Sequence, residues 1–324
     1  MVELNIVQAV KSALEQEMVR DPNVIVLGED VGRNGGVFRA TEGLFDEFGE
    51  DRVIDTPLSE IGIVGVTIGL ALYGLRPVAE IQFEGFLYPA LDQLISHAGK
   101  IRNRSRGRFH VPLVVRVPYG GGIRAPEQHS DSPETYLVHT PGIKVVTPSN
   151  PYDTKGLLVS AIRDPDPVVF LEPKRVYRAI RGEVPEEDYA VPLNEAKVVR
   201  EGDDVTLISW GAMMRPTTEA AEKAKNKASV EVIDLRALSP IDVKTLTRSV
   251  EKTGRAVVVH EAPRTCGLGA EITALINEKV FLSLEAPVVR VTGPDVPYPL
   301  YKLENYYLPN VERIKRGIEK IASF

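Results

Sequence analysis

Ile54-Asp55-Thr56-Pro57-Leu58-Ser59-Glu60 runs directly into Ile61-Gly62-Ile63-Val64-Gly65-Val66-Thr67-Ile68-Gly69, and this junction sets the reading of the chain. Ser59 is a good helix N-cap, Pro57 cannot extend a helix backwards, and Glu60 falls in the first turn, where negative charge is favoured. No charged residue follows from Ile61 to Leu75, about 15 residues, short of the roughly 20 that span a bilayer. A helix of this length that is apolar all round belongs inside a large protein. Gly65 and Gly69 share one face and leave room for a close neighbour. Two readings of Glu60 stand at this point. It is a solvated charge at a helix start, or a carboxylate held beside a buried ligand.

Working outward, the same strand–helix alternation recurs. Asn5 caps an expected helix over Ile6–Met18, whose apolar positions keep helical spacing. Val24–Gly28 is an unbroken apolar strand of the kind buried on both faces of a parallel sheet, and a glycine-rich loop beginning Glu29-Asp30-Val31-Gly32 leaves its C-terminal end. Strands are expected at 52–55, 78–81, 113–117, 144–146 and 168–171, with helices from Glu60, over 88–103 and over 151–163. Glu183–Tyr189 is charged, proline-bearing and aperiodic, so it reads as part of a linker. Strands at 205–209, 230–233, 256–259 and 288–291 and a last helix near 311–321 form a second unit. The expectation is two doubly wound α/β domains, 1–180 and 201–324, joined by a linker over 181–200.

Composition narrows the function. The 324 residues carry a net charge of -6 with 26% charged and 43% hydrophobic residues, an ordinary globular balance with no reason to expect nucleic acid. The densest basic run, Lys100 to Arg108, is a local patch. No stretch is a membrane span, Met1–Asn5 lacks the features of a signal peptide, and the single Cys266 suits a reducing compartment. A cytoplasmic location is therefore expected.

Familiar catalytic motifs are missing: no Walker A sequence, no G-x-G-x-x-G between strand and helix, no G-x-S-x-G, and no His/Cys cluster with metal-ligand spacing. Gly120-Gly121-Gly122 is unspecific and reads as a plain loop. What remains is a carboxylate and a histidine or two. His129, in the polar loop Glu127–Ser132, is placed for proton transfer or is merely a surface residue. Gln82 and Phe86 follow a strand end, where an aromatic ring stacks on a planar ligand or packs in the core. His97 falls within a helix and reads as structural.

Taken together, several runs are specific. Leu27-Gly28-Glu29-Asp30-Val31-Gly32, Asp55-Thr56-Pro57-Leu58-Ser59-Glu60, Glu80-Ile81-Gln82-Phe83, Gln128-His129-Ser130, Pro141-Gly142-Ile143-Lys144-Val145-Val146, Phe170-Leu171-Glu172-Pro173, Val232-Ile233-Asp234-Leu235-Arg236 and His260-Glu261-Ala262-Pro263 occur in that order. Over nearly its whole length the chain resembles the β subunit of the E1 component of 2-oxo acid dehydrogenase complexes, a thiamine diphosphate-dependent, transketolase-like family. The resemblance implies a pyrimidine-binding domain followed by a smaller transketolase C-terminal-like domain. It implies that Glu60 hydrogen-bonds N1′ of the aminopyrimidine and promotes the imino form that takes the C2 proton, a task suited to a desolvated carboxylate of raised pKa. Leu58, Gln82 and Phe86 match positions lining the pyrimidine pocket, and Glu29 matches a further pocket residue. His129 matches a histidine that handles the 2-oxo acid and the reductive acylation of lipoamide.

The Gly-Asp-Gly stretch with which thiamine enzymes hold Mg²⁺ and the diphosphate is not found; Glu201-Gly202-Asp203-Asp204 has the wrong order and place. The resemblance thus implies an E1 α subunit that carries the Mg²⁺, an α2β2 heterotetramer, and a lipoyl-bearing E2 acyltransferase as partner. The Gly65/Gly69 face would suit packing at such an interface. A structural K⁺ is implied at Leu113, Ala161, Ile162, Asp164 and Asp166, where Asp166 replaces a frequent Asn. The expected activity is oxidative decarboxylation of pyruvate or a branched-chain 2-oxo acid. Acetoin dehydrogenase β subunit, split transketolase and a non-catalytic assembly protein remain the alternatives.

Overall fold

The computed structural model describes all 324 residues, which form two compact units. The first comprises residues 1–119 and 136–193, the second residues 120–135 and 194–324.

In the first unit, β1 (Val2–Asn5) leads into the helix Ile6–Arg20. Asn5 closes a capping box, its side chain accepting from Gln8 N at 2.9 Å while Gln8 Oε1 accepts from Asn5 N at 3.0 Å. The sheet strands are β2 (Val24–Gly28), β3 (Val53–Asp55), β4 (Arg76–Glu80), β5 (Val114–Tyr119), β6 (Lys144–Val146) and β7 (Val168–Pro173). They run parallel in the order β6-β7-β5-β4-β2-β3. Strands β2, β5 and β7 are buried along their whole length, as expected where helices cover both faces.

Three expectations need correction here. The stretch 181–200 is not a free linker. β8 (Arg181–Val184) pairs antiparallel with β1, and β9 (Lys197–Arg200) pairs antiparallel with a strand of the second unit. Backbone pairing needs no hydrophobic period, so a charged segment concealed it. The single helix expected over 88–103 is three pieces: Leu87–Asp92, a π-helical segment Gln93–Ala98, and Gly99–Arg104. The third correction is that residues 120–135 leave the first unit and belong to the second.

In the second unit, β10 (Val205–Ser209), β11 (Val230–Asp234), β13 (Ala256–Pro263) and β14 (Val289–Gly293) form a sheet in the order β14-β13-β10-β11-β9, parallel except for the edge strand β9. A short strand, β12 (Ala237–Ser239), follows β11. The helices Met214–Ala224, Val243–Thr253, Leu268–Val280 and Val311–Ala322 complete the doubly wound pattern. No helix of either unit is long and apolar enough to cross a membrane.

Candidate active site

Three adjacent strands, β4, β2 and β3, bring the first-unit candidates together. Gly28 is in register with Asp55 on one side and Glu80 on the other. The chain turns from β2 outward to β3, then crosses back to β4, so a topological switch lies here, and ligands collect outside the carboxyl ends of such strands. Glu29 follows Gly28 directly, the Leu58–Glu60 turn follows β3, and Gln82 and Phe86 follow β4. Gly28 has φ +156°, and a Cβ there would lie 2.8 Å from the Glu80 carbonyl. Only glycine lets the strand end so close to its neighbour.

Local contacts fix these side chains. Gln82 Nε2 donates to the Glu29 carbonyl at 3.2 Å. Ser59 caps the Glu60–Leu72 helix through Gly62 N at 3.3 Å. Burial, then the neighbouring charges of Glu60 and Asp30, push the Glu29 carboxyl above its ordinary range. Glu29 and Glu60 thus follow neighbouring strands, with Glu60 close enough to count among the charges acting on Glu29. Phe86 meets Phe83 edge to face at 6.0 Å, Phe83 meets Phe38 at 5.3 Å, and Phe38 meets Tyr177 at 5.2 Å. The Glu60 helix packs on the Leu87–Asp92 helix and the π segment.

The expectation that this helix is buried on every side is corrected. Ile63, Val64, Thr67, Ile68 and Ala71 are buried, but Ile61, Val66, Leu72 and the following Tyr73 are exposed. Leu58 is 79% exposed, and nothing lies within 4 Å of a Cβ built on Gly69. Glu60 itself is half-buried. The apolar pattern therefore has a face that this chain does not cover.

Two supports were not anticipated. Asp55 accepts from Gly32 N at 2.6 Å and Arg33 N at 3.3 Å, tying the loop after Glu29 to the end of β3. Behind the site, Arg116 is fully buried on β5 between Glu80 (2.8 Å) and Glu172 (2.6 and 3.0 Å), and Tyr177 donates its hydroxyl to Glu172. The signal was legible: one arginine inside Leu113-Val114-Val115-Arg116-Val117 must be paired if that strand is buried. Glu84 and Lys174 form a second fully buried pair, with Lys174 Nζ 5.1 Å above the Phe83 ring.

His129 belongs to the second unit, half-buried at the end of a 3₁₀ turn, Glu127–His129. Near it in sequence, Glu134 is fully buried, and burial together with the Glu261 charge pushes its pKa up to about 7. A carboxyl whose folded pKa is raised contributes stability that is complete below its ordinary range and lost as pH rises through about 7. Urea melts should therefore show a decline from pH 5 to 8 that E134Q flattens; identical slopes would refute the assignment. His260 stacks on Trp210 at 5.3 Å, and burial pushes its pKa down to about 4, so it packs as a neutral ring. His97 lies exposed in the π segment.

Of the five residues matched to a K⁺ site, Ala161, Ile162, Asp164 and Asp166 lie at and just beyond the end of the helix Pro151–Arg163, and Leu113 precedes β5. The Leu113 carbonyl accepts from Val168 N (3.0 Å), that of Ala161 from Asp164 N (3.3 Å), and those of Ile162 and Asp164 from Arg76 Nη1 (2.8 and 3.4 Å). The carboxylates of Asp164 and Asp166 are paired with Lys144 and Arg102, each at 2.5 Å. A cation would have to bind the second lone pairs of these carbonyls, beside three cationic side chains.

Comparison with known proteins agrees with this architecture. Residues 2–179 match the transketolase pyrimidine-binding domain, and residues 194–314 the transketolase C-terminal domain. The chain is 52% identical to the pyruvate dehydrogenase E1 component subunit beta of Bacillus subtilis over 100% of both chains. It is 51% identical to the protein of that name from Acholeplasma laidlawii over 98% of each. A solved split-gene transketolase, described as an inactive beta4 tetramer, superposes with a TM-score of 0.82 at 22% identity, covering 99% of this chain and 98% of that one, which speaks for the fold alone. With two transketolase-type domains in this order and full-length relatives at half identity, the chain belongs to the family of E1 β subunits.

Proposed function

We propose that this β subunit, with an α subunit, decarboxylates a 2-oxo acid on thiamine diphosphate and passes the acyl group to a lipoyl-bearing E2. The observation that carries the reading is the placement of Glu29 and Glu60 after the neighbouring strands β2 and β3, beside an uncovered apolar helix face. The residues suit an aminopyrimidine: Glu60 offers a carboxylate acceptor, Gln82 is held by the Glu29 backbone, and Phe86 and Leu58 offer apolar surface. When bound, the cofactor supplies a thiazolium carbon nucleophile for the 2-oxo carbonyl.

The protein's own part is proton handling and positioning. Glu60, at the helix start, would hold and return a proton at the pyrimidine ring nitrogen, with Glu29 as a neighbouring acid of the same pocket. Covering the Leu58–Tyr73 face with an α subunit would take Glu60 out of water. The α subunit would bring Mg²⁺ and the diphosphate site, giving an α2β2 assembly. His129 would serve the acid and the lipoyl group. The relatives' printed name favours pyruvate over branched-chain acids, and the lone Cys266 suits the cytoplasm.

Thermal melts of the α/β complex test the binding side. Thiamine diphosphate with Mg²⁺ should raise the midpoint, and K⁺ should add a separate increment over Na⁺ at equal ionic strength. Ligand at 100 times its dissociation constant stabilises by about 2.7 kcal/mol. Turnover with pyruvate and with 2-oxoisovalerate then tests the chemistry. A complex with no cofactor response and no turnover would sink the proposal, and a missing K⁺ increment would remove that ion alone.

A further inference from the structure

Gly120-Gly121-Gly122 reads as a plain loop in sequence, yet it opens the one part of the N-terminal half, Gly120–Thr135, that belongs to the second unit. Its backbone is held at several points. Gly121 N donates to Glu261 Oε2 at 2.9 Å. Gly122 N donates to Glu304 Oε2 and to the Tyr298 hydroxyl, each at 3.1 Å, and Arg124 N donates to Glu304 Oε2 at 3.1 Å. Tyr298 in turn donates its hydroxyl to Glu304 Oε2 at 2.9 Å. A Cβ on Gly121 would lie 2.1 Å from the Tyr298 hydroxyl, so the close approach requires glycine.

Glu261, Tyr298 and Glu304 are all buried. Hydrogen bonds from backbone N–H to a desolvated carboxylate are among the strong ones, and a carboxylate left without them would be costly. Further along, Gly120 N donates to the Asp131 carbonyl at 2.9 Å, and Ser130 Oγ donates to the Ala125 and Pro126 carbonyls at 3.3 and 3.0 Å. His129 therefore hangs between two fastened points, Arg124 and Asp131.

We propose that Glu304, assisted by Tyr298, is a positioning residue for His129, so that the C-terminal domain sets the geometry of acyl transfer. This rests on the reading of His129 as the residue that serves the lipoyl group. The carboxylate makes no contact with substrate in this role. It fixes the loop backbone, and the backbone fixes the imidazole.

The test uses the reconstituted α/β complex with thiamine diphosphate and Mg²⁺, comparing wild type, E304A, E304Q, H129A and E304A/H129A. Acyl transfer to lipoyl-E2 should fall on the order of 100-fold in E304A, the cost of an ångström-scale misplacement, and ferricyanide-coupled decarboxylation should change in E304A no more than it changes in H129A. E304Q, which keeps one acceptor oxygen, should fall between wild type and E304A. E304A should add nothing in the H129A background, because it acts through that residue. Unchanged acyl transfer in E304A, a decarboxylation defect in E304A larger than that of H129A, or full additivity with H129A would overturn the proposal. Amide hydrogen exchange gives a readout independent of activity: Gly121, Gly122 and Arg124 should exchange faster in E304A, and unchanged exchange would overturn the latch. If E304A does not assemble, Y298F removes one hydroxyl only and should show the same exchange and transfer pattern in weaker form. A wild-type complex without activity would refute the proposed function while leaving the exchange result to judge the latch.

Discussion

E60Q is expected to cut turnover of the α/β complex on the order of 10²- to 10⁴-fold, the usual contribution of a positioned acid–base group. Glutamine keeps the length of the side chain and one acceptor oxygen, but it cannot hold and return a proton. E60A should fall at least as far. Both variants should assemble normally, because Glu60 is half-buried at the first turn of its helix and makes no ion pair that the fold depends on. The Ser59 cap and the buried face Ile63–Ala71 remain in place. In E60Q the Glu29 carboxyl also loses a like-charged neighbour, so its pKa should drop back toward the ordinary range. Steady-state assays with size-exclusion profiles of the complex check the first point. Near-normal turnover in E60Q would end the assignment.

R116M should destabilise the first unit by about 3–5 kcal/mol, because it leaves two buried carboxylates without their cationic partner. Arg116 is 0% exposed, Glu172 0% and Glu80 3%, so water cannot replace the lost charge. Desolvation already pushes the Glu80 carboxyl upward against the pull of Arg116. Without the guanidinium, the Glu80 carboxyl should protonate more readily still. Acids with raised pKa favour the fold at low pH and penalise it as pH climbs through their folded values, so the R116M defect should be larger at pH 8 than at pH 5. The triple variant E80Q/R116M/E172Q should recover much of the loss, since neutral groups of similar shape remove the unpaired charge. Urea denaturation at both pH values measures this. A defect below about 1 kcal/mol, the worth of a surface pair, would mean that the triad contributes little. The triad matters for the site as well: Glu172 holds Tyr177, whose ring starts the edge-to-face row through Phe38 and Phe83 to Phe86.

Elements whose stability is local were readable in the chain. Asn5 and Gln8 lie three residues apart, so their capping box, and with it the start of the first helix, needs no tertiary information. The same holds for Ser59 before Glu60 and for the helix 151–163, which begins at Pro151 after Asn150 and ends at Arg163 as read. Unbroken apolar runs such as Val24–Gly28 reported burial on both faces, and alternation with helices implied parallel pairing. β8 and β9 were missed because their pairing depends on backbone groups of distant strands, and their side chains are mostly polar.

The Ile54–Gly69 stretch shows where the division falls. By itself the sequence determined a carboxylate at the head of an apolar helix following a strand, because capping, helix propensity and hydrophobic runs act over a few residues. Only the tertiary structure decided that one side of that helix is left uncovered, that Glu29 and Glu60 share one sheet edge, and that Arg116 lies between Glu80 and Glu172. It also decided that the loop bearing His129 answers to Glu261, Tyr298 and Glu304, residues more than a hundred positions away. Burial and long-range hydrogen bonds are properties of which elements become neighbours. Strand order and register set those neighbours, and no local rule encodes them.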